Sequence, residues 1–184
     1  MVALPLASSP ALPPTLSLED WLDNPPERTE WIDGSLIAKN GMTLKHSKIQ
    51  GNLYFYWRNY RDQHQLGGSI YTEAPCRTRK QGRVPDVAYL TPELVAQYGD
   101  VKVLPQSFPL IAEVISPTDL AEEVIVKAQE YLQSGSEEVW LVFPEAGWVI
   151  ALTPETRQIF MVGEIARTTN VLPGFAVAID ELLA

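Results

Sequence analysis

Between Pro109 and Ser116-Pro117 runs Leu110-Ile111-Ala112-Glu113-Val114-Ile115, six residues of which five are apolar. Its short length and β-branched content suit a central strand covered on both faces, which requires a sheet with other layers packed above and below it. A carboxylate sits inside this run. Burying it ionised costs several kcal/mol unless a cation, a metal or hydrogen bonds compensate. The segment therefore demands a doubly covered sheet and a counter-charge for Glu113.

The rest of the chain supplies the covering layers. Ser17 caps a short helix, Ser17 to Leu22, with Asp20 as its capping-box partner and Pro25-Pro26 as its end. Glu30-Trp31-Ile32 and Leu36-Ile37-Ala38 read as a hairpin about Asp33-Gly34. From Thr43 to Arg61, the residues His46, Ile49, Leu53, Trp57 and Tyr60 recur at helical spacing and predict a long helix with one buried stripe. Ser69 to Pro75 and Val84 to Leu90 are strand-like, joined by the basic turn Arg77 to Arg83, and Thr91 to Gly99 reads as a helix or turn. A helix follows from Leu120 to Ser134, with Asp119 as its cap and Gly135 as its stop. Three strands come next, Val139 to Phe143, Trp148 to Leu152 and Gln158 to Val162, and a last short element ends at Leu182-Leu183. The expected class is α/β, a mixed sheet with helices packed on it. Residues 1–16 read as an extended Pro-rich arm and residues 17–184 as one domain, a division that the length of 184 residues allows.

Composition narrows the chemistry. One cysteine, Cys76, excludes an internal disulfide and a cysteine-based zinc site, and two histidines leave little for a His cluster. A bound metal would have oxygen ligands, which points to Mg²⁺ or Mn²⁺. A reducing cytoplasm is the expected compartment, and no apolar stretch is long enough to span a membrane. The net charge of −9 argues against nucleic acid until its distribution is considered. From Lys39 to Arg83 nine Lys and Arg stand against two acids, a local balance of +7, whereas from Glu93 onward fourteen acids face four bases. One face suits phosphates and another is acidic and solvated; ordinary surface charge accounts for the same pattern equally well.

Three residues look misplaced for a purely structural protein. Glu113 lies in the most apolar strand. Asp86 lies in the otherwise apolar Val84-Pro85-Asp86-Val87-Ala88-Tyr89-Leu90. On adjacent strands the two acids can project from one face, where they would repel unless a divalent cation or a shared proton intervened. Lys127 falls inside the apolar stripe Leu120, Val124, Ala128 and Tyr131 of the following helix, aimed at the sheet and at those acids. Singly, each has a bland explanation, such as a lysine stem that packs while its amine reaches solvent. Together they point to a reactive site.

Pro85-Asp86 followed by Glu113-Val114-Ile115 resembles the PD-(D/E)XK nuclease superfamily. Val84-Pro85-Asp86-Val87, Ala112-Glu113-Val114-Ile115-Ser116-Pro117, and Lys127 with Tyr131 ahead of Gly135 and Val139-Trp140-Leu141-Val142 resemble one branch, the Uma family of restriction-endonuclease-like domains. Trp31-Ile32-Asp33-Gly34-Ser35-Leu36-Ile37 and His46 match its opening hairpin and long helix, so the likeness runs from about Ser17 to the C-terminus. It implies a restriction-endonuclease-like mixed sheet flanked by helices and Mg²⁺-dependent hydrolysis of phosphodiesters, with DNA the expected substrate. Asp86, Glu113 and the backbone carbonyl of Val114 would hold the metal. Where the superfamily has a lysine two residues after the acid this chain has Ile115, and Lys127 would supply the amine from the helix. Glu30, Glu73 and His46 are auxiliary candidates; Arg77, Arg79, Lys80 and Arg83 are candidate nucleic-acid contacts. A homodimer is expected by analogy with enzymes that cut two strands.

Two other readings stay open. A degenerate nuclease-like fold serving as a nucleic-acid-binding or assembly module is favoured by Ile115 and the negative net charge. A two-carboxylate glycosidase-type hydrolase is disfavoured by aliphatic neighbours and the amine opposite. Trp140, Trp148, Phe143 and Phe160 suggest a base-stacking platform, but core or a subunit contact is the simpler reading.

Overall fold

The computed structural model describes residues 16–39 and 43–184. In chain order the elements are α1 (Leu18–Asp23), β1 (Thr29–Ile32), β2 (Ser35–Ala38), α2 (Leu44–Gln63), β3 (Ser69–Thr72), β4 (Cys76–Arg77), β5 (Gly82–Arg83) and β6 (Val87–Leu90). Then come α3 (Pro92–Tyr98), β7 (Leu110–Val114), α4 (Ala121–Leu132), β8 (Glu138–Phe143), β9 (Trp148–Leu152), β10 (Arg157–Met161), β11 (Ile165–Arg167), β12 (Ala176–Ala178) and α5 (Ile179–Leu183).

The main sheet has six strands in the order β10-β9-β8-β7-β6-β3, antiparallel except for the parallel pair β7/β8 that α4 connects. The segment that most constrained the chain is its central strand, and all five residues of β7 are buried. Alternation along β7 sorts its side chains between two layers. Ala112 and Val114 pack with Ile49, Leu53 and Trp57 of α2 and Ile179 and Leu182 of α5, while Ile111 packs with Val124, Ala128 and Tyr131 of α4. Trp140 is fully buried in the first layer, edge-to-face with Trp57 at 6.1 Å. A smaller sheet, β2-β1-β5-β4, stands beside the main one and packs on Trp21 and Val84. Gly82 in β5 is required there, because a Cβ would come within 2.4 Å of the Trp21 ring. No helix among the described residues is long and apolar enough to cross a membrane.

Several expected features form as read. Ser17 and Asp20 make a reciprocal capping box. Thr43 caps α2. Asp33 and Gly34 take φ values of 47° and 87°, and Ile32 pairs with Ser35 across the turn. Others differ. Asp119 does not cap α4; Leu120 is the N-cap without a side-chain bond, and the Asp119 carboxylate accepts the Ser116 amide instead. Leu120 is therefore outside the helix stripe and exposed. The strand expected to reach Pro75 stops at Thr72, because Glu73 turns to φ 51°. Of the four aromatics read as core or a subunit contact, Trp140 is core and Trp148 is exposed. The basic turn is part of a hairpin, β4 and β5, whose residue pairs are Cys76 with Arg83 and Arg77 with Gly82. The β11/β12 hairpin was not foreseen. Residues 1–15 of the expected arm lie outside the described residues.

Candidate functional site

Antiparallel pairing of β6 with β7 sets Val87 opposite Ala112. Asp86 immediately precedes β6 and Glu113 follows Ala112, so both acids lie at the end of this ladder. The Asp86 carboxylate completes the strand edge: its Oδ2 accepts the Val114 N–H at 2.8 Å. Both acids are buried.

Glu113 belongs to a chain of ion pairs that joins four elements, β7, α4, β1 and β5. From α4, Lys127 Nζ stands 2.9 Å from Glu113 Oε1 and 3.0 Å from Glu30 Oε1 on β1. Glu30 also meets Arg83 of β5 at 3.1 Å, and Arg83 meets Glu130 of α4 at 2.6 Å. The Tyr131 hydroxyl donates to Glu113 Oε1 at 2.8 Å, and the Glu130 carboxylate accepts the Thr78 hydroxyl. Helical spacing explains the arrangement. Lys127, Glu130 and Tyr131 are three and four residues apart and share the sheet-facing side of α4.

Asp86 has its own set of partners. Lys39 Nζ donates to Asp86 Oδ1 at 2.7 Å and to the Val84 carbonyl at 2.6 Å, with Glu73 Oε2 at 3.2 Å. His46 Nε2 lies 3.4 Å from Asp86 Oδ2, within ion-pair reach but without the alignment of a hydrogen bond. Gln50 of α2 donates to Glu73 Oε1 and to the Asp86 carbonyl, tying the two acidic residues to one helix.

The two central carboxyls are driven apart in acidity. Burial works to raise Asp86, but His46 and Lys39 overcome it and hold the group well below the usual carboxylate range. Burial and the nearby Asp86 charge raise Glu113 despite the opposing pull of Lys127. Burial disfavours the Lys127 charge, yet Glu113 and Glu30 outweigh it and keep the ammonium protonated well beyond neutral pH. Asp86 contact raises His46 above its ordinary value, partly offset by burial.

A cleft of about 600 Å³ opens onto Glu113, Lys127, Glu30 and Arg83, with Asp119 and Glu123 among the acids that line it. Asp86, Lys39, His46 and Glu73 do not line it. The donor chemistry suits a hard divalent cation. Five carboxylates, Glu30, Glu73, Asp86, Glu113 and Glu130, are threaded by three permanent cations, Lys39, Arg83 and Lys127, leaving a surplus of negative charge. Glu73 Oε2 and His46 Nε2 are buried without a well-formed hydrogen bond. Among the described residues no three His, Cys, Asp or Glu side chains converge on one point, so main chain and water would complete the shell of any ion.

The structure brings Asp86, Glu113, Lys127, Val114, Glu30, Glu73 and His46 into one neighbourhood and divides the basic group. Arg79 and Lys80 are exposed at the hairpin turn. Arg77 pairs with Glu19 at 3.0 Å. Arg83 is buried, paired with Glu30 and Glu130, and faces the cleft rather than the hairpin surface; the sequence around it gives no sign of a partner 47 residues away. Sequence reasoning missed Lys39 and Gln50. Lys39 lies outside any periodic element, and only the positive excess of its segment drew notice to it.

The family Uma2, described as "Putative restriction endonuclease", matches the chain over residues 15–180. Among solved structures, one described as "a putative nuclease belonging to DUF820", from Anabaena variabilis, aligns with a TM-score of 0.79. It is 19% identical, and the match covers 90% of this chain and 96% of that one. At that identity the likeness shows the fold, in agreement with the mixed-sheet architecture expected from the sequence. No curated protein gives a significant match.

Proposed function

The chain belongs to the Uma2 family, and from that premise we propose that it is an endonuclease that hydrolyses phosphodiester bonds in DNA with Mg²⁺ or Mn²⁺. Asp86, Glu113 and Lys127 form its reactive centre. One observation carries this reading: two buried carboxyl residues flank one strand end, Asp86 accepting the amide next to Glu113, with an ammonium from the covering helix 2.9 Å from Glu113. A purely structural core has no need of that arrangement.

Asp86, Glu113 and the Val114 carbonyl would hold the metal. In an extended strand the amide and carbonyl of one residue project to the same side, and the Val114 amide already points at Asp86. Such an ion would supply a more acidic water and would offset charge building on the phosphate. Held protonated, Lys127 is not a proton acceptor; it neutralises the phosphate or orients the attacking water. Tyr131 fixes the rotamer of Glu113, and Arg83 with Glu130 fixes Glu30 against Lys127. Glu73 and His46 are auxiliary groups beside Asp86. Arg79 and Lys80 at the hairpin turn would contact the DNA backbone, and Arg77 would join them by releasing Glu19. A homodimer would present two centres to the two strands, and a reducing cytoplasm suits the single free thiol.

The second reading, a nuclease-like module that binds or assembles without cutting, draws on Ile115 in place of the superfamily lysine and on the acidic lining of the cleft. Incubating supercoiled and single-stranded DNA with the protein and Mg²⁺ or Mn²⁺ separates the two. Metal-dependent nicking that a chelator abolishes supports the endonuclease. Absence of nicking together with absence of metal binding by calorimetry supports the module.

A further inference from the structure

Lys39 follows β2 and crosses to the Asp86 side of the centre, where its Nζ meets three oxygens: the Val84 carbonyl at 2.6 Å, Asp86 Oδ1 at 2.7 Å and Glu73 Oε2 at 3.2 Å. The ammonium donates to the first two and faces the third as an ion pair. The three oxygens are one main-chain carbonyl and two carboxylates, the donor types that a hard divalent cation selects. The seat is built rather than incidental. Gln50 bonds both Glu73 and the Asp86 carbonyl, and the Glu73 amide donates to that same carbonyl at 3.3 Å. Glu73 holds this place at φ 51°, a conformation that a residue with a side chain adopts at a cost. Its Oε2 is buried and faces Lys39 as an ion pair without a well-aligned hydrogen bond, which leaves that oxygen with unused acceptor capacity.

We infer that Lys39 is a tethered counter-cation seated among Glu73, Asp86 and the Val84 carbonyl, and that a divalent ion engages this side of the centre in competition with it. The inference rests on the metal-dependent reading and adds regulation to it. Without metal, Lys39 neutralises the carboxylates and keeps the fold intact; on metal binding its amine leaves the seat and is freed toward solvent or toward a phosphate. Two ligands that exclude each other from one site are linked, and removing one strengthens the other by the same factor.

Calorimetric titration with Mn²⁺ and with Mg²⁺, on the full chain and on Lys39→Met, tests this, with Lys39→Gln as a second variant should the first not fold. The variant is expected to bind about ten- to a hundredfold tighter than the unaltered chain, and adding Glu73→Gln is expected to remove most of that gain. Acylation of lysines with an amine-reactive ester, read by mass spectrometry, gives a second readout on the unaltered protein: Lys39 labelling should rise on adding Mg²⁺ while Lys45 and Lys48 stay constant. Equal or weaker binding by the Lys39 variants, with Lys39 labelling indifferent to metal, overturns the inference. If the unaltered chain binds metal and loses it in Asp86→Asn under those circumstances, the endonuclease reading stands alone. If neither form binds metal, both fall.

Discussion

Lys127 Nζ lies 3.0 Å from Glu30 and 2.9 Å from Glu113, so one ammonium joins helix α4 to both the small and the main sheet. Its removal leaves two buried carboxylates facing each other. Breaking a buried pair costs more than forming it gains, because the remaining charge is stranded in a poor solvent. Lys127→Met is expected to destabilise the fold by about 2–4 kcal/mol, somewhat below the range for fully buried pairs because the side chain is partly exposed. Urea denaturation measures this. A double-mutant cycle with Glu30→Gln should show coupling of about 1 kcal/mol or more. Independent, additive losses would mean that the contact carries no energy.

The acid limb of stability follows from Glu30. Burial raises its carboxyl, but Lys127 and Arg83 more than reverse this and bring it from 4.5 to about 2. A depressed folded-state pKa contributes stability that is fully present above the unfolded value and is lost as pH falls toward the folded one. Between pH 4.5 and about 2 the protein should therefore lose roughly 3 kcal/mol through this group. Urea midpoints across that window should fall less steeply for Glu30→Gln than for the unaltered chain. Parallel curves would contradict the assignment.

Cys76 is fully buried and its thiol is pushed up by burial, so the reactive thiolate is scarce. An aromatic disulfide reagent should leave the native protein unlabelled and react with one equivalent in urea. Rapid stoichiometric labelling of the native state would show that the layer between β4 and α4 opens readily.

Arg79 and Lys80 differ from Arg83 in what they should do to DNA binding. Both are exposed at the hairpin turn, whereas Arg83 is enclosed by Glu30 and Glu130. Changing both exposed residues to alanine should weaken binding across all sequences and reduce the salt slope by about 2, one unit per phosphate contact. Stability should hardly change. Arg83→Ala should instead lower the urea midpoint sharply, since it strands two carboxylates. An unchanged salt slope in the Arg79/Lys80 variant would remove the hairpin from the interface.

The elements that break a pattern were the ones legible in the sequence. Glu113 stood out because an acid interrupts an apolar strand, and Lys127 because it falls within the buried stripe of a helix; both are at the centre of the observed charge network. Asp86 was readable for the same reason, and its carboxylate accepts the amide of Val114, the neighbour of Glu113. Lys39 breaks no pattern, because an irregular segment offers no periodicity for a lysine to violate. The ion pairs of Arg83 were not legible, because a local charge run says nothing of Glu130, which folding brings from 47 positions away. Asp119 looked like a cap by spacing, yet the Ser116 amide lies closer at hand and takes its carboxylate. Contacts set by tertiary packing do not appear in local spacing.

The most direct test of the centre is the rate of plasmid nicking at saturating Mg²⁺ by the unaltered chain, Asp86→Asn, Glu113→Gln and Lys127→Met, each verified as folded by circular dichroism. Metal-dependent nicking by the unaltered chain and a loss of about a hundredfold or more in each variant are expected. Nicking that persists in Glu113→Gln and Lys127→Met would place the chemistry elsewhere in the molecule and contradict the assignment of this buried pair.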